Sequence, residues 1–337
     1  MPHRAFVVGA ALVSLSPVLS GCGLLGQPDL VIYNAQHEEL MTEIVPIFEE
    51  ETGLDVELRN GKDLELANQL VAEGADSPAD VFLTENSPAM SIVDNAGLFT
   101  EVSDEALADI PEEYVPSSKN WTGILARSTV VMYNTDQATA ADMPDSILEF
   151  AEPEWAGRIS FSPTGADFQA IVSAVLDQEG EAATAAWLEG LAENGEELEN
   201  NLVVMQSVNA GDVEAGIAYH YYWYRDRQES GADSDSSQLY FFGNEDPGAF
   251  VSISGAGVLA SSEHQANAQR FVEFLTSTEA QQAMADSYAL EYPLNPEAEI
   301  DPETGVKPFD ELEPPAIDPA QLNGPKVTEL MTEAGLL

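Results

Sequence analysis

Apolar residues along this chain fall into short runs separated by amphipathic stretches. Leu30-Val31-Ile32-Tyr33 reads as a buried strand, and the polar turn Asn34-Ala35-Gln36-His37 leads into 38–51, where Leu40, Ile44, Ile47 and Phe48 recur at helical spacing. A second strand over 54–58 precedes a helix over 63–73, and a third strand over 80–84 stops at Glu85. Strand and helix alternating in this way predict an α/β fold: an open sheet with helices on both faces, whose ligands bind beyond the strand ends. His37 and Glu85 both sit just past such ends.

The run 124–133 is longer and β-branched, as expected of a strand crossing between lobes. A second α/β block follows, with a strand at 158–161, a turn at Ser162-Pro163-Thr164-Gly165-Ala166, helices at 167–176 and 181–191, and a strand at 215–220. Two further runs, 250–253 and 257–260, return the chain to the first lobe, with helices at 265–275 and 278–286. A loop-like stretch rich in Pro, Asp and Glu covers 295–325, before a last helix over 327–337. The expected division is a leader over 1–21, a tether over 22–28, one lobe from 29–124 and 252–300, and a second from 125–251 and 301–337. Two lobes joined by two crossovers make a cleft that opens and shuts about a hinge.

The N-terminus sharpens the address. Arg4 precedes an apolar stretch from Ala5 to Leu19, and Leu19-Ser20-Gly21-Cys22 follows, in the length and order of an export signal. Cys22 is the only cysteine and follows two small residues, so it reads as the lipidated first residue of an exported lipoprotein, attached to the outer face of a membrane. No disulfide is possible, and the core must hold the fold. The roughly 315 residues beyond the leader suffice for two lobes, since single cores stop growing near about 250–300 residues.

Sixty acidic against eleven basic residues give a formal net charge of −49. That excludes a nucleic-acid partner, because phosphate binding needs basic patches. The acids are dispersed, as on a solvated surface suited to a saline or alkaline habitat, where salt screens the self-repulsion. Such charge is not itself a binding mechanism.

The chemistry concentrates in Ala218-Tyr219-His220-Tyr221-Tyr222-Trp223-Tyr224. Aromatic runs on strands usually serve a core. Adjacent tyrosines facing a cleft would instead offer two hard, anionic oxygens to a small, highly charged cation such as ferric iron. A histidine before a helix is often only a cap, and a glutamate at a helix start is favourable for electrostatic reasons alone.

Several segments together resemble the ferric-iron-binding periplasmic proteins, the substrate-binding subunits of iron transporters with a two-lobed periplasmic-binding-protein fold. They are Val31-Ile32-Tyr33-Asn34-Ala35-Gln36-His37, Pro78-Ala79-Asp80-Val81-Phe82-Leu83-Thr84-Glu85, Tyr221-Tyr222-Trp223-Tyr224 and Asp246-Pro247-Gly248-Ala249-Phe250-Val251-Ser252, with Ala126-Arg127-Ser128 and Glu291-Tyr292-Pro293-Leu294 in support. The resemblance covers nearly the whole chain after the leader. It implies that His37 and Glu85 from one lobe, with Tyr221 and Tyr222 from the other, hold Fe(III), and that carbonate or phosphate completes the shell. The anion would lie at Thr164, Gly165 and Ala166, with Asn201. Tyr219 stands where the family has a further asparagine, which narrows the space and favours carbonate over phosphate. Arg127 is either the anion's counter-charge or half of a structural salt bridge, and His220 is expected behind the metal ligands.

The resemblance further implies a monomer that hands its iron to the permease of an ABC transporter. A related receptor for a metal-free solute such as thiamine, a polyamine or a phosphonate is the alternative. An exported hydrolase finds no support: Ser252-Ile253-Ser254-Gly255 lacks the strand–turn–helix context of a nucleophile elbow, and there is no His-Glu-x-x-His element.

Overall fold

The computed structural model describes residues 28–337 together with Met1. The expected leader, the tether and Cys22 therefore fall, Met1 and Pro28 aside, outside the described residues.

The chain alternates strand and helix as β1 (Leu30–Ala35), α1 (Glu38–Thr52), β2 (Val56–Asn60), α2 (Asp63–Glu73), β3 (Val81–Thr84), α3 (Ser87–Asn95) and the single turn α4 (Asp104–Leu107). Then come β4 (Trp121–Asn134), β5 (Ile159–Phe161), α5 (Ala166–Asn194), β6 (Glu196–Glu197), α6 (Asn201–Ala210), β7 (Ala215–Tyr219) and α7 (His220–Glu229). The remainder is β8 (Ser237–Tyr240), β9 (Val251–Val258), α8 (Gln265–Thr276), α9 (Thr278–Ala285), β10 (Tyr292–Pro293) and α10 (Gly324–Glu333). Helix α5 is two helices joined at Gly180, whose φ of 77° breaks the helical path between the two expected segments.

Strand β4 runs through both lobes, and β9 crosses beside it, with Phe250 in the second lobe's core and Val251 and Ile253 in the first lobe's. The sheet runs β2-β1-β3-β9-β4-β7-β5-β6, with β8 and β10 also on β4. The first half of β4 pairs with β9 and β10, and its second half pairs with β7 and β8. Every one of its 14 residues is buried, which is why the sequence run is so long and so β-branched. The two runs expected at 250–253 and 257–260 are a single strand, β9. Glycine usually weakens a strand, but here it serves close approach. A Cβ on Gly255 would fall 2.5 Å from Met90 Cγ, and one on Gly257 2.5 Å from Phe99 Cε1.

On the first lobe, α1, α8 and α9 pack one face of the sheet through Leu40, Ile44, Phe48, Phe271 and Met284. Tyr33, Phe82, Met90, Trp121 and Tyr292 pack the other face. The second lobe has its own core around Phe150, Phe161, Phe168, Trp187 and Met331. The stretch 301–312, expected in the second lobe, instead sends Val306, Phe309 and Leu312 against the first lobe's core, and only from Ile317 onward does the tail pack on the second.

Candidate metal centre

His37 follows β1 and occupies the N-cap position of α1 without using its side chain as a cap. The imidazole is thus free to face the cleft. Its Nδ1 lies 3.0 Å from Glu85 Oε1 and its Nε2 2.9 Å from Glu291 Oε1. Glu85 follows β3, and the turn that presents it is clamped by Asp63, whose carboxylate accepts the backbone N–H groups of Glu85 (2.9 Å) and Asn86 (3.1 Å). The tyrosine pair does not lie on a strand. Strand β7 ends at Tyr219, and Tyr221 and Tyr222 occupy the first turn of α7, their rings stacked with centroids 4.2 Å apart. The Tyr221 ring meets the edge of His37 across the cleft, with centroids 5.5 Å apart. All four expected ligands are therefore brought together.

Behind His37 lies a buried charge pair. Glu291 and Arg127 are both fully buried, with Arg127 Nη2 2.9 Å from Glu291 Oε2 and donating to Gln36 Oε1 at 3.1 Å. Burial opposes a charge on His37, but Glu291 and Glu85 overcome it and raise the imidazole to about 10. Burial likewise opposes ionisation of Glu291, and Arg127 and His37 reverse this to hold it at about 2. Glu85 is held below its usual range, its burial outweighed by His37. Burial and the neighbouring Asp167 push both Tyr221 and Tyr222 well above the usual phenol value. Without a cation, then, the phenols and the imidazole all carry protons, and the Tyr221 hydroxyl has no hydrogen-bond partner among the described residues.

On the other side of the cleft, α5 starts at Ala166 with Gly165 as its N-cap, as the anion reading requires. Thr164, Gly165, Ala166 and Asn201 line a cavity of about 320 Å³ together with Glu85 and Tyr222. Arg127 does not line it; of its two expected roles the salt bridge is the one formed, although its Nε and Nη1 have no partner among the described residues. Tyr219 is fully buried and donates to Asn86 Oδ1 at 3.3 Å, with the Asp167 carbonyl 3.4 Å away, so it builds the wall of the cavity without lining it. His220 accepts the Ser128 N–H on Nδ1 (3.2 Å) and places Nε2 3.1 Å from the Leu290 carbonyl, which fixes the Nε2–H tautomer. Burial lowers it to about 4. It is a neutral tie between α7, β4 and the loop before β10.

Among the described residues no group of three or more His, Cys, Asp or Glu side chains is arranged to hold a metal, so any shell here needs the phenol oxygens. Residues 76–309 match the profile of a family described as "Bacterial extracellular solute-binding protein". The chain belongs to that family. It is 52% identical over 308 residues to the Fe(3+)-binding periplasmic protein of Serratia marcescens, covering 91% of this chain and 90% of that one. It is 34% identical over 336 residues to the major ferric iron-binding protein of Neisseria meningitidis serogroup B, covering 99% and 98%. The crystal structure of iron-bound HitA from Pseudomonas aeruginosa superposes with a TM-score of 0.84 at 39% identity, over 91% of this chain and 99% of that one. The two-lobed architecture is that of this family, and among the described residues no helix is long and apolar enough to cross a membrane.

Three acidic residues at the centre escaped the sequence reading: Glu291, Asp167 and Asp63. Glu291 stands inside Glu291-Tyr292-Pro293-Leu294, already part of the family resemblance, and that was its signal. Asp167 directly follows the anion turn, where an acid at a helix start reads as an ordinary favourable charge. Asp63 looked like the same kind of residue at the start of α2, yet it is buried and raised to about 8, by burial first and by Glu85 next.

Proposed function

We propose that this protein captures ferric iron in the cleft between its lobes and delivers it to an ABC importer. His37 and Glu85 bind from the first lobe, Tyr221 and Tyr222 from the second. The observation that carries the reading is the convergence of these four side chains, with the Tyr221 hydroxyl buried and unpartnered among the described residues. The relatives named for ferric iron support it. Two phenolates and a carboxylate offset three positive charges, and a cation at close range reverses the preference of the phenols for their protons. Neither lobe alone supplies more than half the shell, so the ion favours the closed form over the open one.

An oxygen donor seated at Thr164-Gly165-Ala166 and Asn201 completes the shell; carbonate or phosphate is the occupant the family resemblance implies. The protein acts as a monomeric carrier without catalysis, and Cys22 carries the lipid that keeps it beside the permease on the outer face of the membrane. Adding a ferric salt to the metal-free protein tests the core of this reading. A purple-to-red phenolate-to-iron absorption band is expected. A colourless mixture with no bound iron would overturn it in favour of a metal-free solute.

A further inference from the structure

The hinge carries a second cavity, on the side away from the metal cleft. On β9 the Ser252 hydroxyl faces the cleft side, donating to Asn86 Oδ1 at 2.9 Å, and Asn86 in turn donates to Asp167 of the other lobe at 3.1 Å. Adjacent strand residues point to opposite faces, and Val251 and Ile253 accordingly line a separate cavity of about 450 Å³. That volume falls in the range of about 300–1,000 Å³ usual for small-molecule sites. Its walls come from both lobes: Tyr114, Ile253 and Phe309 belong to the first core, Phe250, Ile317 and Leu322 to the second. The tail crosses between the lobes along one side, stiffened by Pro314 and Pro315, whose rings fix φ.

Apart from Ser87, the Tyr114 phenol and three carboxylates, the lining side chains are apolar, and Ser87 already donates its hydroxyl to the Ile253 carbonyl at 2.8 Å. Glu113, Glu245 and Asp310 are exposed, so they belong to the mouth, and they come from three separate segments. Among the described residues no Lys, Arg or His lines the cavity; Lys307, two residues before Phe309, lays its ammonium 5.5 Å from the Phe241 ring instead. Acids are common on this surface, but these three meet an apolar cavity with aromatic walls. Tyr114 and Phe309, their ring centroids 5.5 Å apart, add π faces that attract a cation.

We propose that this cavity is a second ligand site, for a small organic ammonium with an apolar body, and that its occupant wedges the hinge toward the closed form. The rings of His37 and Tyr221 meet across the cleft at 5.5 Å, so the structure is the closed form. Opening the cleft about β4 and β9 swings the lobes together on the opposite face and narrows this cavity. A guest seated there resists that motion and so binds the closed form better than the open one. By linkage, guest and ferric ion then tighten each other by the same factor. The site rests on the cavity alone; the coupling rests on the ferric reading above.

The probe is benzyltrimethylammonium chloride, whose quaternary nitrogen can neither coordinate iron nor exchange a proton. Titration calorimetry of the metal-free protein at fixed ionic strength should show saturable binding, at least about fivefold tighter than that of benzyl alcohol, with none for benzenesulfonate. Glu245→Gln and Asp310→Asn remove charge with little change of shape and should each weaken it about twofold to fivefold. Small-angle scattering of the metal-free protein should shift toward the closed form as the probe saturates. Ferric affinity, read by chelator competition, should rise at least about fivefold. Binding that does not saturate, or that both variants leave unchanged, is general attraction to an acidic surface and overturns the site. Equal binding of benzyl alcohol overturns the cation class, and saturable binding with unchanged scattering overturns the wedge. Titration and scattering need no metal, so a protein that takes up no iron would overturn the ferric reading and leave this site standing.

Discussion

Replacing Glu291 by Gln removes one charge from the stack Glu85–His37–Glu291–Arg127 while keeping its volume. Glu291 and Arg127 are both fully buried, so no solvent screening discounts the pair. Breaking a buried pair by removing one partner costs about 3–5 kcal/mol, because the other charge is left without compensation. The shift of Glu291 from 4.5 to about 2 corresponds, at about 1.4 kcal/mol per unit, to a stabilisation of about 3 kcal/mol. The two routes agree, and we take about 3 kcal/mol, a fall in Tm of roughly 5–10 °C. The sign follows from linkage. A carboxylate with a depressed folded pKa contributes its full stability above the unfolded value of 4.5 and loses it as pH falls through about 2. Urea midpoints of metal-free wild type and Glu291→Gln, followed by far-UV circular dichroism, should therefore differ by the full amount at pH 7. The difference should close as pH falls from about 5 towards 2. A variant within about 1 kcal/mol of wild type at pH 7, or a gap unchanged at the acid end, would refute the role given to this carboxylate.

Tyr221→Phe should leave stability within about 1 kcal/mol of wild type, since it removes a buried hydroxyl with no partner among the described residues, yet it should abolish most of the colour; unchanged colour would make Tyr221 a packing residue. His37→Ala and Glu85→Ala, in the opposite lobe, should weaken affinity and closure more than they weaken the band, measured by absorbance and small-angle scattering. At neutral pH His37, Tyr221 and Tyr222 carry protons and Glu85 does not, so binding releases three protons and affinity should rise about a thousandfold per pH unit between about pH 5 and 9. Competition against a chelator of known proton uptake measures this, and a flat profile would contradict the shell. With a formal charge of −49, Tm should climb as salt goes from 0.1 to 1 M and the Debye length falls from about 10 to 3 Å; a falling Tm would show that surface repulsion does not limit stability.

Much of this architecture was legible because both lobes are regular. Periodicity located α1 and α2 to within a residue or two, and the length of the apolar run at β4 marked the strand shared by the lobes. Position just beyond a strand end singled out His37 and Glu85 before any contact was known. What the sequence concealed depends on packing at long separation. That 250–253 and 257–260 form one strand shows only when Met90 and Phe99 are seen packed against Gly255 and Gly257. Glu291 gains its meaning from His37 and Arg127, each more than a hundred residues away. Among 60 acids, nothing local distinguishes the three that are buried at the centre from the many that solvate the surface.

The central claim is a ferric ion held between the lobes by two tyrosines, a histidine and a glutamate. Anomalous diffraction at the iron edge, from crystals of the protein loaded with ferric iron, tests it most directly. The account predicts one strong peak within about 2.3 Å of donor atoms of His37, Glu85, Tyr221 and Tyr222. A peak elsewhere on this acidic surface, or a central peak that leaves either tyrosine uncoordinated, would contradict it.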